Sequence, residues 1–597
     1  MTITSSPLKR RTHDEHSIQQ VSTKRLRGGG SGVNNHDDDI DDALAEEAQA
    51  FIDDDFKEDE DDVLFDAEGA VTDTAISYDD LTEVQRTYWS RPPMDEDAYS
   101  NAKDVNLQWL DIDMISADEP LKVNPNPDKP VVGSLVGPVP VIRVYGVTDG
   151  GHSCSVFIHG FTPYGYFAAP PGFDGSVKEN MDALQELLNE KLKFNVPKRG
   201  KTNDDSDSTE YVLGVRYVTD RSSILGFDSS HTAFVKVYVA MPSYIPTLVR
   251  VLKAGITLPG MHESPLGSID ELQPFECNVP FVLRFMIDRE ITGAGWLTLP
   301  KSTYKVRSKE SEKQTHCQLE IDICYPEIIP RDWSKIAPLR VLSLDIECQG
   351  RQGHFPEAEK DPVIQIANVL TIYGSTQPQV KNVFTLRSCL PIVGAQVISS
   401  DSEADMLLKW RTFLQATDAD IITGYNVQNF DVPYLLDRAE TLSKKDKKSA
   451  HRLRPFKYWG RVKGSPAKMK DSTFQSAAYG KRTNVETTID GRVIFDMLPY
   501  MQRNHKLSSY TLNNVCTEFI GQQKEDVHHS IISTLQNGSD EDRHRLAVYC
   551  LKDAVLPLRL MDKLSVLVNY IEMARVSTFS SKMLFSLCLI IFSITNR

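Results

Sequence analysis

Residues Val341 to Gly353 read VLSLDIECQGRQG, an apolar run broken by two carboxylates one residue apart, Asp345 and Glu347. Successive side chains of a strand point to opposite faces, so these two acids share one face while Leu344 and Ile346 share the other. Like charges held that close repel unless something positive sits between them. The simplest candidate is a hard divalent cation, which takes oxygen ligands and is often held by one or two carboxylates plus a substrate phosphate. The run therefore predicts a strand with a cation-holding face, and the remaining ligands must come from elsewhere in the chain.

From Ile336 onward, strand-like and helix-like stretches alternate. VIQIANVLTIY and DADIITGYN read as strands, and SEADMLLKWRTFLQAT as an amphipathic helix with Ser402 at its N-cap. Such alternation predicts an α/β sheet. In IITGYNVQNFDVPYLLDRAETL a strand ends at Gly424, and Asp431, ahead of Pro433, stands like an N-cap at the carboxyl edge of the sheet. In SDEDRHRLAVYCLKDAVLPLRL a helix opens at Ser539 and sets Tyr549 and Asp553 one turn apart on one face. Taken singly, Asp431 reads as a helix cap and Asp553 as a surface charge. Taken together, the four acids and the tyrosine match what hydrolysis of a phosphodiester by two cations about 3.5–4 Å apart requires. Further along, Asp490-Gly491 between two β-prone runs predicts a hairpin.

The 597 residues carry a formal charge of −17, at first sight an argument against a nucleic-acid partner. That charge is concentrated. Asp37 to Glu68 holds seventeen acids against Lys57 alone, and Met1 to His36 has six bases and two acids, so the remainder is only mildly acidic at −5. Residues 1–80, dense in charge and poor in aromatics, are expected to be a disordered tail. Within them Lys9-Arg10-Arg11 and Lys24-Arg25-Leu26-Arg27 read as a bipartite nuclear-import signal. The N-terminus lacks the apolar stretch of a secretory signal, and the nine scattered cysteines include no CxxC pair. Neither zinc nor a disulfide framework is indicated, and a reducing compartment is expected. Residues 81–335, rich in short strand-like runs, read as a β-rich domain without a catalytic constellation. Lys444 to Lys463 has nine bases and one acid, interleaved with Phe456, Tyr458 and Trp459, a pattern that suits single-stranded nucleic acid.

LSLDIEC, GYNVQNFDVPYLL and YCLKDAVLPLRL resemble, in order and approximate spacing, the three exonuclease motifs of the family B DNA polymerases, and KDPVIQIANVL, KLSSYTLNNV and LVNYIEMARV resemble its eukaryotic delta branch. The likeness runs from about Tyr88 to Val576. It implies a multidomain chain: an acidic tail at 1–80, a β-rich (α+β) N-terminal domain at 81–335, and an α/β ribonuclease H-like 3′→5′ exonuclease domain at 336–576. It further implies that Asp345, Glu347, Asp431 and Asp553 bind two Mg2+ ions, with Mn2+ able to replace them, and that Tyr549 orients the attacking water. Asn426 and Phe430 would line the channel for the DNA 3′ end, with the Asp490-Gly491 hairpin near the primer–template junction. The expected DNA contacts from the basic segment are Lys444, Lys445, Arg452, Arg454, Tyr458, Trp459 and Arg461. Leu344 stands where the family more usually has Phe. Nuclear DNA replication, accessory replication subunits and no membrane association complete the implied setting.

After Val576 the likeness stops, and the expected nucleotide-adding motifs and C-terminal cysteine clusters of the family are not found in STFSSKMLFSLCLIIFSITNR. Residues 577–597 thus read as a divergent tail, and its twelve-residue apolar run is short of the roughly 20 residues that span a bilayer. The expectation is a delta-type catalytic chain that retains proofreading hydrolysis and lacks the palm. The rival expectations are a non-catalytic DNA- or partner-binding fragment and a free-standing RNA-trimming exonuclease, which shares the acids but not the β-rich leader.

Overall fold

In the computed structural model, the described residues lie between Tyr88 and Val576. Outside them are 1–87, 95–98, 100–102, 118–138, 170–171, 197–209, 220–232, 258–267, 270–271, 352, 446, 477–479, 523–526, 528 and 577–597. The expected disordered tail, import signal and divergent C-terminal tail lie outside the described residues. Among the described residues no helix is long and apolar enough to cross a membrane.

Among the described residues the first half is built on two larger sheets, with a small pair of Ile256–Thr257 and Ser268–Ile269 beside them. One has seven strands, centred on Val105–Ala117, Val139–Thr148 and Ser153–His159. The other has four antiparallel strands, including Tyr164–Ala168 and Phe234–Val239. Helices Lys178–Asn195 and Ile245–Lys253 bury Leu184, Leu188, Leu192, Leu248 and Leu252 with Val235, Val237 and Val239 of the smaller sheet. The alternating V-x-V-x-V run supplies the apolar face for this packing.

The second half is a six-stranded mixed sheet in the order Gln396–Ser400, Val380–Leu386, Val363–Ile372, Arg340–Cys348, Ile421–Gly424, Val493–Asp496. Arg340–Cys348, Val363–Ile372 and Val380–Leu386 pair antiparallel, whereas Ile421–Gly424 and Val493–Asp496 join in parallel. This is the α/β layer expected from the alternating pattern. The opening stretch splits between faces as its alternation requires. Leu342, Leu344 and Ile346 join the core under helices Glu403–Thr417 and Asp431–Ser443, and Val341 joins the core under helix Asp540–Lys563. Ser402 caps the first of these helices, accepting from the Asp405 amide at 3.2 Å. Ser539 and Asp542 form a capping box at the start of the last.

Gly424 closes its strand where a Cβ would stand 2.7 Å from the Leu344 carbonyl oxygen, so only glycine lets the following loop pass over the central strand. A short segment from the other end of the chain also enters this half. Trp89 is buried among Phe384, Phe413 and Trp410, and its indole donates to Gln396 at 2.8 Å.

The expected hairpin at Asp490-Gly491 is corrected. A turn is there, with Gly491 at φ +74°, but the strands it joins belong to different sheets. Gly480–Thr488 pairs with Lys468–Ser476 in a separate two-stranded ribbon, while Val493–Asp496 pairs with Ile421–Gly424. The turn packs inward, its Gly491 amide donating to Asp111 and a Cβ there meeting Tyr145 at 2.9 Å. It is a contact with the seven-stranded sheet and does not project toward solvent.

Candidate active site

Asp345 and Glu347 lie opposite Ala367 and Gln365 of the neighbouring strand, on the face covered by helix Asp540–Lys563. Glu347 is buried and Asp345 half-buried. Asp431 reaches the same place from a different element. It is the first residue of helix Asp431–Ser443, one position inside the Phe430 cap, so the cap expected at Asp431 shifts by one residue. Its Oδ1 accepts from the backbone amide of Ile346 at 3.0 Å, between the two acids. Burial pushes the Asp431 carboxyl up to about 7, and the negative charges of Asp496 and Asp553 add to the rise. Asp553 is buried on helix Asp540–Lys563, with Tyr549 one turn earlier, half-buried against Ile364, Val527, Leu535 and Leu546. Asp345, Glu347, Asp431 and Asp553 are thus gathered from one strand and two helices.

Two participants were not read from the sequence. Asp496 N-caps helix Met497–Asn504 and accepts from the amides of Asn426, Gln428 and Leu498 at 2.8, 3.0 and 3.0 Å. Burial lifts its carboxyl to about 6 even though these three donors favour the charged form. It fastens the loop leading to Asp431, and Asn426 in that loop takes a left-handed backbone at φ +67°. An aspartate before a helix is so common a cap that nothing distinguishes it in sequence. Cys550, fully buried on the same helix as Asp553, directs its thiol at the Asp345 carbonyl oxygen (3.5 Å) and at Asp345 Oδ2 (3.6 Å). Phe430 sits beside this site, packed on Phe355 and Tyr434 with ring centroids 5.4 Å away in each case.

This is a carboxylate-rich cluster on an α/β sheet, with the Cys550 thiol beside it. Residues 272–515 match the family described as "DNA polymerase family B, exonuclease domain", and residues 160–246 match "DNA polymerase delta catalytic subunit-like, N-terminal domain". The chain carries a family B DNA polymerase exonuclease domain. It is 42% identical over 493 residues to the DNA polymerase delta catalytic subunit of Glycine max, covering 82% of this chain and 42% of that one. The corresponding subunit of Arabidopsis thaliana is 42% identical over 499 residues, covering 83% and 42%. That of Bos taurus is 43% identical over 477 residues, covering 79% and 40%. The chain spans about two fifths of the length of these curated relatives. The matched exonuclease domain includes Asp345, Glu347, Asp431 and Asp496, while Tyr549 and Asp553 follow it.

The basic segment expected to contact DNA divides between exposed and buried residues. Helix Asp431–Ser443 has its first residue at the acids and its thirteenth just ahead of Lys444, which puts the start of the segment about 20 Å from Asp431 at 1.5 Å per residue. Trp459 is 0% exposed and packs on Trp410 and Phe456, so no base can stack on it. Arg461 is also 0% exposed and is paired with Asp418 at 2.8 Å and Asp420 at 2.6 Å. Both are core residues, and the DNA contacts expected of them are withdrawn. Lys444, Lys445, Arg452 and Arg454 are exposed and Tyr458 half-buried. Lys444 pairs with Glu440, and Arg452 with Asp405. Nothing in the charge pattern alone separates a basic residue on a surface from one held in a buried ion pair.

Proposed function

We propose that this chain hydrolyses the terminal phosphodiester at DNA 3′ ends, with Asp345, Glu347, Asp431 and Asp553 holding two Mg2+ ions that Mn2+ can replace. The observation that carries this reading is the Asp431 carboxylate bonded to the Ile346 amide, which sets a third acid beside the Asp345 and Glu347 pair. The donor set is all carboxylate oxygen apart from Cys550, which suits a hard divalent cation. When bound, such ions activate a water and neutralise the developing charge on the leaving oxygen. The chain's own residues do the rest. Asp496 fixes the Asn426–Phe430 loop, so that Asn426 and Phe430 guide the 3′-terminal nucleotide toward the acids, and Tyr549 orients the attacking water. A narrow site of this kind takes an unpaired end, and a mismatched end costs least to unpair.

In this reading the β-rich part (81–335) and the exonuclease part (336–576) act within a replicative polymerase of the delta type, in the nucleus, with accessory subunits. Lys444, Lys445, Arg452, Arg454 and Tyr458 follow the nucleic-acid backbone away from the reacting end. The test uses purified full chain and 5′-labelled single-stranded DNA. With Mg2+ the strand should shorten from its 3′ end, and Asp345→Ala with Glu347→Ala should cut the rate by at least about 10³-fold, the kinetic equivalent of several kcal/mol. Undiminished hydrolysis by that double variant in chelator would overturn the proposal.

A further inference from the structure

Among the described residues, the soft donor grouped with Asp345 and Glu347 is Cys550, to which the proposed hydrolysis gives no role. Oxygen atoms of Asp345 and Glu347 and the sulfur of Cys550 all lie within 4.8 Å of one another. Two ligands of a tetrahedral zinc ion, sulfur at about 2.3 Å and carboxylate oxygen at about 2.1 Å, stand about 3.6 Å apart. Cys550 Sγ and Asp345 Oδ2 stand 3.6 Å apart. One edge of a mixed sulfur–oxygen coordination shell is therefore already at its bonding span, and closing the remainder requires Glu347 to move by at most about an ångström. Helix Asp540–Lys563 holds the sulfur there, since Cys550 is packed with Ala547, Leu551 and Ala554 against the central sheet.

We propose that Asp345, Glu347 and Cys550 form a capture site for thiophilic divalent cations, Zn2+ or Cd2+, which overlaps the hard-cation site and stops hydrolysis when filled. This rests on the reading that Asp345 and Glu347 serve the exonuclease. Hard Mg2+ and Mn2+ select the carboxylates, and the thiol then serves only as a hydrogen-bond donor to Asp345. A soft ion forms a metal–sulfur bond as the S–H bond breaks, the proton passing to the buffer with no change in oxidation state. Cys550 thereby sets which metals the site accepts: it offers nothing to the hard ions and binds the soft ones firmly.

Cadmium serves as the probe, because a cadmium–thiolate bond has an ultraviolet charge-transfer band readable without any turnover. Full-length wild type, Cys550→Ser and Cys550→Ala are titrated with Cd2+ alone, and then with Cd2+ in the presence of Mg2+ and labelled single-stranded DNA, each variant normalised to its own metal-free spectrum and its own Mg2+-supported rate. The band should be larger in wild type than in either variant. It should fall in Asp345→Asn, and Cd2+ should inhibit wild type at a concentration at least about tenfold lower than it inhibits Cys550→Ser. Equal bands in wild type and both Cys550 variants would overturn the capture site, as would equal inhibition of wild type and Cys550→Ser. Failure of the exonuclease reading itself shows differently: Mg2+-supported hydrolysis would then survive Asp345→Ala with Glu347→Ala, whatever the spectra do.

Discussion

Asp420 and Asp431 flank the short strand Ile421–Gly424, one just before it and the other at the start of the next helix, and both are buried, at 0% and 3% exposure. Their surroundings differ completely. Asp420 receives Arg91 at 2.5 Å, Arg461 at 2.6 Å and the Arg340 amide at 2.7 Å, while its neighbour Asp418 receives Arg91, Arg461 and Arg492. Burial alone would raise both carboxyls, but the guanidinium charges hold both below the ordinary carboxylate range. At Asp431 burial acts in the same direction and the charges that add to it, Asp496 and Asp553, are acids, so the shift is upward. The same side chain is a satisfied structural anion at one end of the strand and a strained one at the other. Strain of that sign is relieved by a cation, which is what a metal-using site needs and a scaffold must avoid.

The largest test of this contrast is Asp420→Ala. It strands buried guanidinium groups, so unfolding in denaturant should show a loss of about 3–5 kcal/mol. A loss below about 1 kcal/mol would mean that the arginine cluster is not structural. Next in size, Mg2+ at a hundred times its dissociation constant should add about 2.7 kcal/mol of stability to wild type. A thermal melt should lose that gain on adding chelator, and Asp345→Ala with Glu347→Ala should never show it.

Asp431→Asn comes third. In chelator at pH 8 it should stabilise the fold by on the order of 2 kcal/mol while abolishing hydrolysis, because an amide still accepts from the Ile346 amide and no longer repels its neighbours. The pH profiles fix the sign. The Asp431 carboxyl is raised from 3.8 to about 7, so its stability contribution is fully present below about pH 4 and is lost as pH rises toward 7. Asp418 is depressed, so its contribution is present above about pH 4 and is lost on acidification below that. Chelated wild type should lose stability between pH 4 and 7 relative to Asp431→Asn, and parallel profiles would sink the assignment. The smallest effect is expected at the surface: Arg454→Ala should change stability by less than about 0.5 kcal/mol, read in the same melts, while lowering the salt dependence of DNA binding by about one phosphate's worth.

What could be read in advance divides along the same line. The pairing of Asp345 with Glu347 follows from a period of two and needs no knowledge of the fold, and the Ser402 and Ser539 caps are equally local. Asp431 and Asp553 could be tied to that pair through the chemistry of two cations and through resemblance but not by local pattern, because no local rule sets a helix start beside a strand eighty-six residues upstream. Trp459 and Arg461 were misread because their burial is decided by Trp410 and Asp418 and not by any periodicity around them. The Asp490-Gly491 turn shows the same limit: the dipeptide predicts a backbone reversal and says nothing about which sheets the flanking strands join. Asp418 and Asp420 carried no signal at all, since their partner Arg91 lies 327 and 329 residues away.

That separation has a temporal meaning. A ribosome adds about 5–20 residues per second, so Trp89 and Arg91 leave it roughly 15–65 s before Asp418 and Asp420 exist to receive them. Throughout that interval the indole destined for Phe384 and Phe413 has no pocket and the guanidinium has no carboxylate. The exonuclease sheet, for its part, cannot finish its core or settle its buried charges until this earliest segment is threaded back onto it. The nascent chain must therefore keep a tryptophan and an arginine in reserve through more than three hundred further residues, and a chaperone that shields the first hundred would act on the exonuclease sheet by protecting a piece that carries none of its acids.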